Sequence, residues 1–341
     1  MSAVLAALLA AAPAWMLTRL ALAYAQGAAM HDQPGARRMH SAPTVRGAGL
    51  GFVLVIAAVW TGLGLALGGQ HPLGRWALGG AAGLAIVALI SWLDDRQGLP
   101  VWPRLLAHAT AAVLLILGAW PGLAAQLPLV LVLILPLILI IPAINFWNFM
   151  DGINGMAAVQ AVLVATIIAA LAWKAGDYPA AWFAAVVAGA VCAFLPFNFP
   201  EARAFMGDVG SASLGYIVAA LALMPLVDAG PVLPAALLLA AAVFLDTGLT
   251  LAWRMLRRPP RRWYTAHREH LYQWLTRAGW SHTRTTLSYL GFSVGISALV
   301  LLIGPLRPLP MLIAAAVVYL SGALLWRLAR DYALRRARVG S

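Results

Sequence analysis

The chain has 341 residues, of which 63% are hydrophobic and 10% charged, with a mean hydropathy of +0.86; that balance excludes a soluble globular domain. Its single cysteine, Cys192, lies in an apolar run, which excludes an intrachain disulfide and a thiolate metal cluster and reads as a small core residue. The net charge of +12 follows from membrane topology and requires no nucleic-acid partner.

A membrane-crossing helix takes about 20 apolar residues. Such runs fall near 3–25, 48–68, 76–94, 105–121, 127–145, 155–173, 179–197, 210–227, 231–253, 285–304 and 309–327. The expectation is an all-α polytopic transmembrane bundle of about eleven spans, forming a single membrane-embedded domain over 1–341. The first run, Ser2 to Ala25, is longer than a signal-peptide core and lacks a cleavage site, so it reads as the first span.

Basic residues set the expected orientation, because loops rich in arginine stay cytoplasmic. The segments 26–47, 94–104, 145–155, 198–209 and 254–284 and the tail 328–341 hold most of them, including Arg37, Arg38, Arg46, Arg96, Arg104, Arg203, Arg254, Arg257, Arg258, Arg261 and Arg262. Outward segments hold Arg75, Lys174 and Arg307. The N-terminus is therefore expected outside and the C-terminus inside, with juxtamembrane arginines able to hold anionic lipid head groups.

A carboxylate costs about 2.5–3.5 kcal/mol at the centre of a membrane helix, so each needs a reason. Of the 11 acidic residues, Asp177 and Asp228 fall in outward turns and Asp331 in the tail. The others, Asp32, Asp94, Asp95, Asp151, Glu201, Asp208, Asp246 and Glu269, map to the inward face or just inside it. Asp94-Asp95 closes the third span, where acids oppose the helix dipole, so a solvated terminus explains them poorly. Adjacent helical positions point about 100° apart, so the two carboxylates serve different partners.

Asn145, Asn148 and Asp151 recur at spacings of three, followed by Gly152, Asn154 and Gly155. On a continuing helix they share a face and make a binding wall; interhelical amide bonds are the ordinary alternative. Gly207-Asp208-Val-Gly210-Ser211 sets backbone N–H groups beside one carboxylate, suiting a phosphate held through a hard cation. His267-Arg268-Glu269-His270 carries two imidazoles three residues apart; with no third ligand nearby this suits an anion better than zinc. His31, His71, His108 and His282 have no such context.

Together these blocks resemble the polyprenyl-phosphate N-acetylhexosamine-1-phosphate transferase family. The matching segments are Asp32-Gln-Pro34-Gly-Ala-Arg37 through His40 to Pro43-Thr44-Val-Arg46-Gly47-Ala-Gly49, then Asp94-Asp95, then Asn145-x-x-Asn148-x-x-Asp151-Gly-x-Asn154-Gly155, then Phe205-Met-Gly207-Asp208-Val-Gly-Ser211. The resemblance implies transfer of a sugar 1-phosphate from a UDP-sugar to undecaprenyl phosphate at the cytoplasmic face of the bacterial inner membrane, with Mg²⁺, or Mn²⁺ in its place. It implies Asp208 and Asn148 as metal ligands and Asp94, supported by Asp95, as the catalytic acids acting on the lipid phosphate. Asp151, Asn154, Arg46, His267, Arg268 and His270 would hold the donor, backed by Asn145, Gly207, Ser211 and Asp246.

Where peptidoglycan-type members carry a triple histidine, this chain has His270-Leu-Tyr272-Gln273, which looks like the branch that begins O-antigen and similar lipopolysaccharide or surface glycans from UDP-linked GlcNAc, FucNAc or QuiNAc. Asn154 also stands where many members have Asp. An ion-coupled transporter is the competing class, with Asp246 deep enough to suit it; a member using the peptidoglycan precursor is the other alternative. Membrane lipids are partners on either reading, and a homodimer is open.

Overall fold

Each apolar run falls on a helix, as it must where hydrocarbon offers the backbone no hydrogen-bond partner. The computed structural model describes residues 2–27, 31–32, 44–124, 128–226, 230–231, 233–257, 267–304 and 307–339. Pro34, Arg37, Arg38 and His40, and Asp228, Arg258, Arg261 and Arg262, lie outside the described residues.

The helices are α1 (Ala3–Gly27), α2 (Leu50–Leu67), α3 (Pro72–Gln97), α4 (Val101–Ala124), α5 (Leu129–Met150), α6 (Met156–Lys174), α7 (Tyr178–Cys192), α8 (Leu195–Asn198), α9 (Gly207–Ala222), α10 (Leu233–Leu239), α11 (Ala241–Arg257), α12 (Leu271–Arg277), α13 (His282–Ile303) and α14 (Pro308–Val339). Among the described residues 9 segments are long and apolar enough to cross a membrane, α7 counting with α8, and α10 with α11 makes a tenth that bends by 71°. The remaining run holds α9, only 16 residues long. Every α9 residue except Asp208 is buried, so this helix is walled by protein and need not match the lipid thickness.

Lipid tails are as apolar as leucine, so close packing and hydrogen bonds hold such a bundle together. Small residues permit the approach. A Cβ on Gly215 of α9 would lie 2.3 Å from the Ala143 carbonyl of α5. Polar ties fix the register: the Trp76 indole of α3 donates to the Ala220 carbonyl at 2.9 Å, and the Tyr216 hydroxyl to the Ala111 carbonyl at 3.4 Å.

Three expectations change. Cys192 is exposed at the end of α7 rather than in the core, a position that costs a small apolar side chain nothing against lipid. Within the expected tail 328–341, α14 continues as helix to Val339. The segment 145–155 is helical as far as Met150.

Small strands gather the loops at the end where α3 stops and α9 starts. β1 (His31–Asp32) pairs antiparallel with β2 (Thr44–Arg46), which pairs parallel with β3 (Ala204–Phe205). A second ribbon, β4 (Pro225–Leu226) with β5 (Gly230–Pro231), follows α9 at its other end.

Candidate active site

The first turn of α9 organises the site. A helix N-terminus leaves several N–H groups unpaired, and an acid there satisfies them and complements the dipole. That acid comes from another helix: Asp95, at the end of α3, accepts from the Asp208 and Val209 amides, both at 3.0 Å. Its side chain is 1% exposed. Gly207 has φ +72°, and a Cβ there would lie 2.6 Å from Asp95 Oδ2, so glycine lets the carboxylate close on the turn.

β2 brings the cation. Pairing of Arg46 with Phe205, and the Gly47 and Gly49 amides donating to the Phe205 and Met206 carbonyls at 3.1 Å each, set Arg46 above the turn. Its guanidinium bridges Asp95 Oδ1 at 2.9 Å and Asp208 Oδ1 at 2.5 Å. Ser211, predicted as support, donates from its hydroxyl to the Gly207 carbonyl at 3.1 Å.

Asp94 points to a different partner, as adjacent helical positions require. One of its oxygens accepts from the Leu99 amide at 2.6 Å, and the other pairs with Arg104 at 2.7 Å. Asp208 is also a like-charged neighbour of Asp94. Three acids and two arginines from α3, α4, β2 and α9 thus meet at one end of the bundle, where like-charged carboxylates gain from a cation or a shared proton.

The polar stripe of α5 arrives beside them. Gly215 crosses α5 at Ala143 and Ile144. One turn nearer the site lie Asn148 on α5 and Ser211 on α9. Asn148 is half-buried, and its side-chain amide makes no hydrogen bond among the described residues. The other amides are occupied by protein. Asn145 donates to the Ile141 carbonyl at 2.8 Å. Asn154 donates to the Pro200 carbonyl at 2.9 Å, and its Oδ1 meets His282 Nδ1 at 3.1 Å. Asn154 therefore ties the α5–α6 turn to its neighbours. Asp151 caps the end of α5 and has partners of its own.

The histidine segment docks on the same end of α5. The Tyr272 hydroxyl donates to the Phe149 carbonyl at 2.8 Å, and the His270 ring lies 5.8 Å from Phe149 and 4.8 Å from His267. Asp246, 1% exposed, holds α12 as Asp95 holds α9: it accepts from the Leu271 and Tyr272 amides at 2.7 and 3.2 Å. The Tyr289 hydroxyl, the Trp326 indole and the Thr250 hydroxyl donate to it as well, at 2.7, 3.2 and 3.3 Å. Glu269 pairs with the buried Arg254. Burial, then the neighbouring His270 and Arg254, hold the His267 imidazole down at about 3. Burial likewise lowers His270, whose Nδ1 is enclosed without a hydrogen-bond partner. Both rings are neutral at pH 7.

Among the described residues no group of three or more His, Cys, Asp or Glu is arranged around a common metal position. A hard cation such as Mg²⁺ asks for less: one or two carboxylates, with phosphate oxygens and water completing its shell. Asp208, Asp94 and the Asn148 amide oxygen suit that demand.

Several contributors have no local sequence signature. Asn198, His282, Tyr289 and Trp326 act across long chain separations, and Arg104 reaches back to Asp94 across the α3–α4 turn. Asn198, 1% exposed, accepts from the Gly155 amide and donates to the Ala204 carbonyl, both at 2.9 Å, joining the α5–α6 turn to β3. His282, given no role from sequence, secures Asn154.

Comparison with known proteins shows the family of the chain. The family model described as glycosyl transferase family 4 matches residues 77–225. The chain is 32% identical over 290 residues to the decaprenyl-phosphate N-acetylglucosaminephosphotransferase of Mycobacterium tuberculosis, covering 74% of this chain and 70% of that one. It is 28% identical over 284 residues to the probable undecaprenyl-phosphate N-acetylglucosaminyl 1-phosphate transferase of Bacillus subtilis, covering 79% and 76%. A phospho-N-acetylmuramoyl-pentapeptide-transferase of Lactiplantibacillus plantarum is 28% identical over 200 residues, covering 53% and 61%. The paired acids of α3, the amide stripe of α5 and the first turn of α9 all fall within the stretch matched by the family model, and the chain belongs to glycosyl transferase family 4, the polyprenyl-phosphate hexosamine-1-phosphate transferases.

Proposed function

We propose that the protein transfers N-acetylhexosamine 1-phosphate from a UDP-sugar to undecaprenyl phosphate and releases UMP, starting a lipid-linked surface glycan of the O-antigen or lipopolysaccharide kind. The observation that carries this reading is the gathering of Asp94, paired with Arg104, and Asp208, paired with Arg46, at one end of an apolar bundle. An oxygen of the lipid phosphate attacks the phosphorus that bears the sugar; a new P–O bond forms, the bond to the UMP oxygen breaks, and UMP leaves with its electron pair. Phosphoryl transfer needs positioning and charge neutralisation more than covalent catalysis, and the site offers both.

Asp94 receives the proton of the lipid phosphate or holds that phosphate in line, with Arg104 fixing its direction. Asp95 acts through the α9 turn, keeping Asp208 in place. Asp208, Asp94 and Asn148 would hold Mg²⁺, which supplies positive charge to the diphosphate oxygens. Asp151, Arg46, Arg268 and the neutral His267 and His270 face the donor, Asn154 shaping that wall through its ties. The donor is cytosolic and the arginines favour the same side, so the site faces the cytoplasm of a bacterial inner membrane. The names of the relatives favour a GlcNAc-type donor.

A transporter is disfavoured by Asp246, whose carboxylate is filled by five donors and has no oxygen left for a transported ion. The test is UMP release by membranes supplied with undecaprenyl phosphate, Mg²⁺ and a panel of UDP-N-acetylhexosamines. Release with one donor, abolished by a chelator, is the expected result; folded protein that releases no UMP from any donor rules the reading out.

A further inference from the structure

Beyond the transferase site, α14 packs on α10, α11, α12 and α13 and encloses an apolar cavity of about 250 Å³ with α11 and α13. Three aromatic rings that line it, Trp280, Trp326 and Tyr332, each carry a guanidinium on a face: Arg284 at 4.0 Å, Arg330 at 5.6 Å and Arg336 at 5.8 Å. Trp253 nearby gathers Arg257, Arg327 and Arg330 at 4.6, 5.7 and 4.5 Å. Arg330 is 7% exposed and wedged between two indoles, with Glu269 and Asp331 as its nearest acidic influences; Arg327 pairs with Asp331 at 3.3 Å. A guanidinium has five donors, more than these acids fill, so the cluster can still take an anion. Like charges crowded at a bundle edge, beside an apolar slot, match a molecule that is anionic at one end and hydrocarbon at the other.

We propose that this cavity binds an anionic glycerophospholipid of the surrounding bilayer, its phosphate on Arg257, Arg327 and Arg330 and one acyl chain in the slot between α11, α13 and α14. The site is separate from Asp94 and Asp208, because α14 packs on none of the helices that carry them. Asp246, the anchor of α12, is among the residues that line the cavity. Bound lipid therefore bears on the same hub that positions the histidine segment.

Native mass spectrometry of the full detergent-solubilised chain tests this, using phosphatidylglycerol and phosphatidylcholine with identical chains. Phosphatidylglycerol is expected to be retained several-fold better. Arg330→Ala should lower its retention roughly fivefold, the equivalent of about 1 kcal/mol for one juxtamembrane arginine. Ala329→Leu, which fills the slot and leaves the arginines in place, should also lower it. Equal retention of the two lipids, or no loss in either variant, overturns the proposal. So does displacement by glycerol 3-phosphate, which would mean a head-group site without a chain, or by equimolar undecaprenyl phosphate, which would make it an acceptor site. Lipid retention is read without turnover, so this result stands apart from the assay of sugar-phosphate transfer.

Discussion

Asp95 and Asp208 are neighbours in space with opposite duties: the Asp95 carboxylate accepts the backbone amide of Asp208 at 3.0 Å, while the Asp208 side chain turns to Arg46. Replacing each separates scaffold from chemistry. Asp208→Asn should abolish turnover with the melting temperature almost unchanged, because its side chain is partly exposed and anchors no backbone amide, whereas Asp94→Asn should abolish turnover with a small drop in melting temperature, since Asp94 also holds Arg104 and the Leu99 amide. Asp95→Ala should lower both, since losing a helix-capping acceptor costs about 0.5–2 kcal/mol and Arg46 loses a partner. UMP release and thermal melting of the same preparations distinguish the two patterns; a stable, fully active Asp95→Ala protein would contradict the scaffold role.

Gly207→Ala probes the same turn from the other side. The φ of +72° costs an L-residue about 1–2 kcal/mol, and the added Cβ would stand 2.6 Å from Asp95 Oδ2. The carboxylate has to move, so turnover should fall at least tenfold with a modest drop in melting temperature. Steady-state kinetics should place the loss in kcat.

Asp246 is a buried charge with every oxygen filled, and removing one side of such a network costs about 3–5 kcal/mol. Asp246→Ala should therefore unfold much of the protein at ordinary temperatures. Tyr289→Phe removes one donor and should cost about 1 kcal/mol. Protease susceptibility of segment 267–277 should rise in the milder variant before global melting begins.

The histidine segment makes stability depend on pH. An imidazole held at about 3 in the fold, against an ordinary 6.5, favours the folded state only while neutral. That contribution is complete above 6.5 and is lost as pH falls from there toward 3. Acidification from pH 7.5 to 5 should lower the melting temperature, and His267→Gln should flatten the profile. An unchanged slope in the variant would place the titrating group elsewhere.

Much of this was legible beforehand because it is local. Asp94-Asp95 at a span end, the Gly207–Ser211 turn and the spaced amides announce a polar site in a chain that otherwise avoids polarity. The partners were not legible. Arg46 reaches Asp208 across 162 positions and Tyr289 reaches Asp246 across 43, distances at which no periodicity survives. Asn154 matched a motif by type, yet its amide is taken up by Pro200 and His282.

By itself, the amino-acid order determined that the chain is a helical membrane bundle with acids kept at helix ends, because the cost of exposing backbone or charge to lipid acts residue by residue. Only the tertiary structure decided which acid became scaffold and which stayed available for chemistry. That choice depends on where one helix's unpaired amides meet another helix's carboxylate, a meeting fixed by the close packing of small residues such as Gly215 against Ala143.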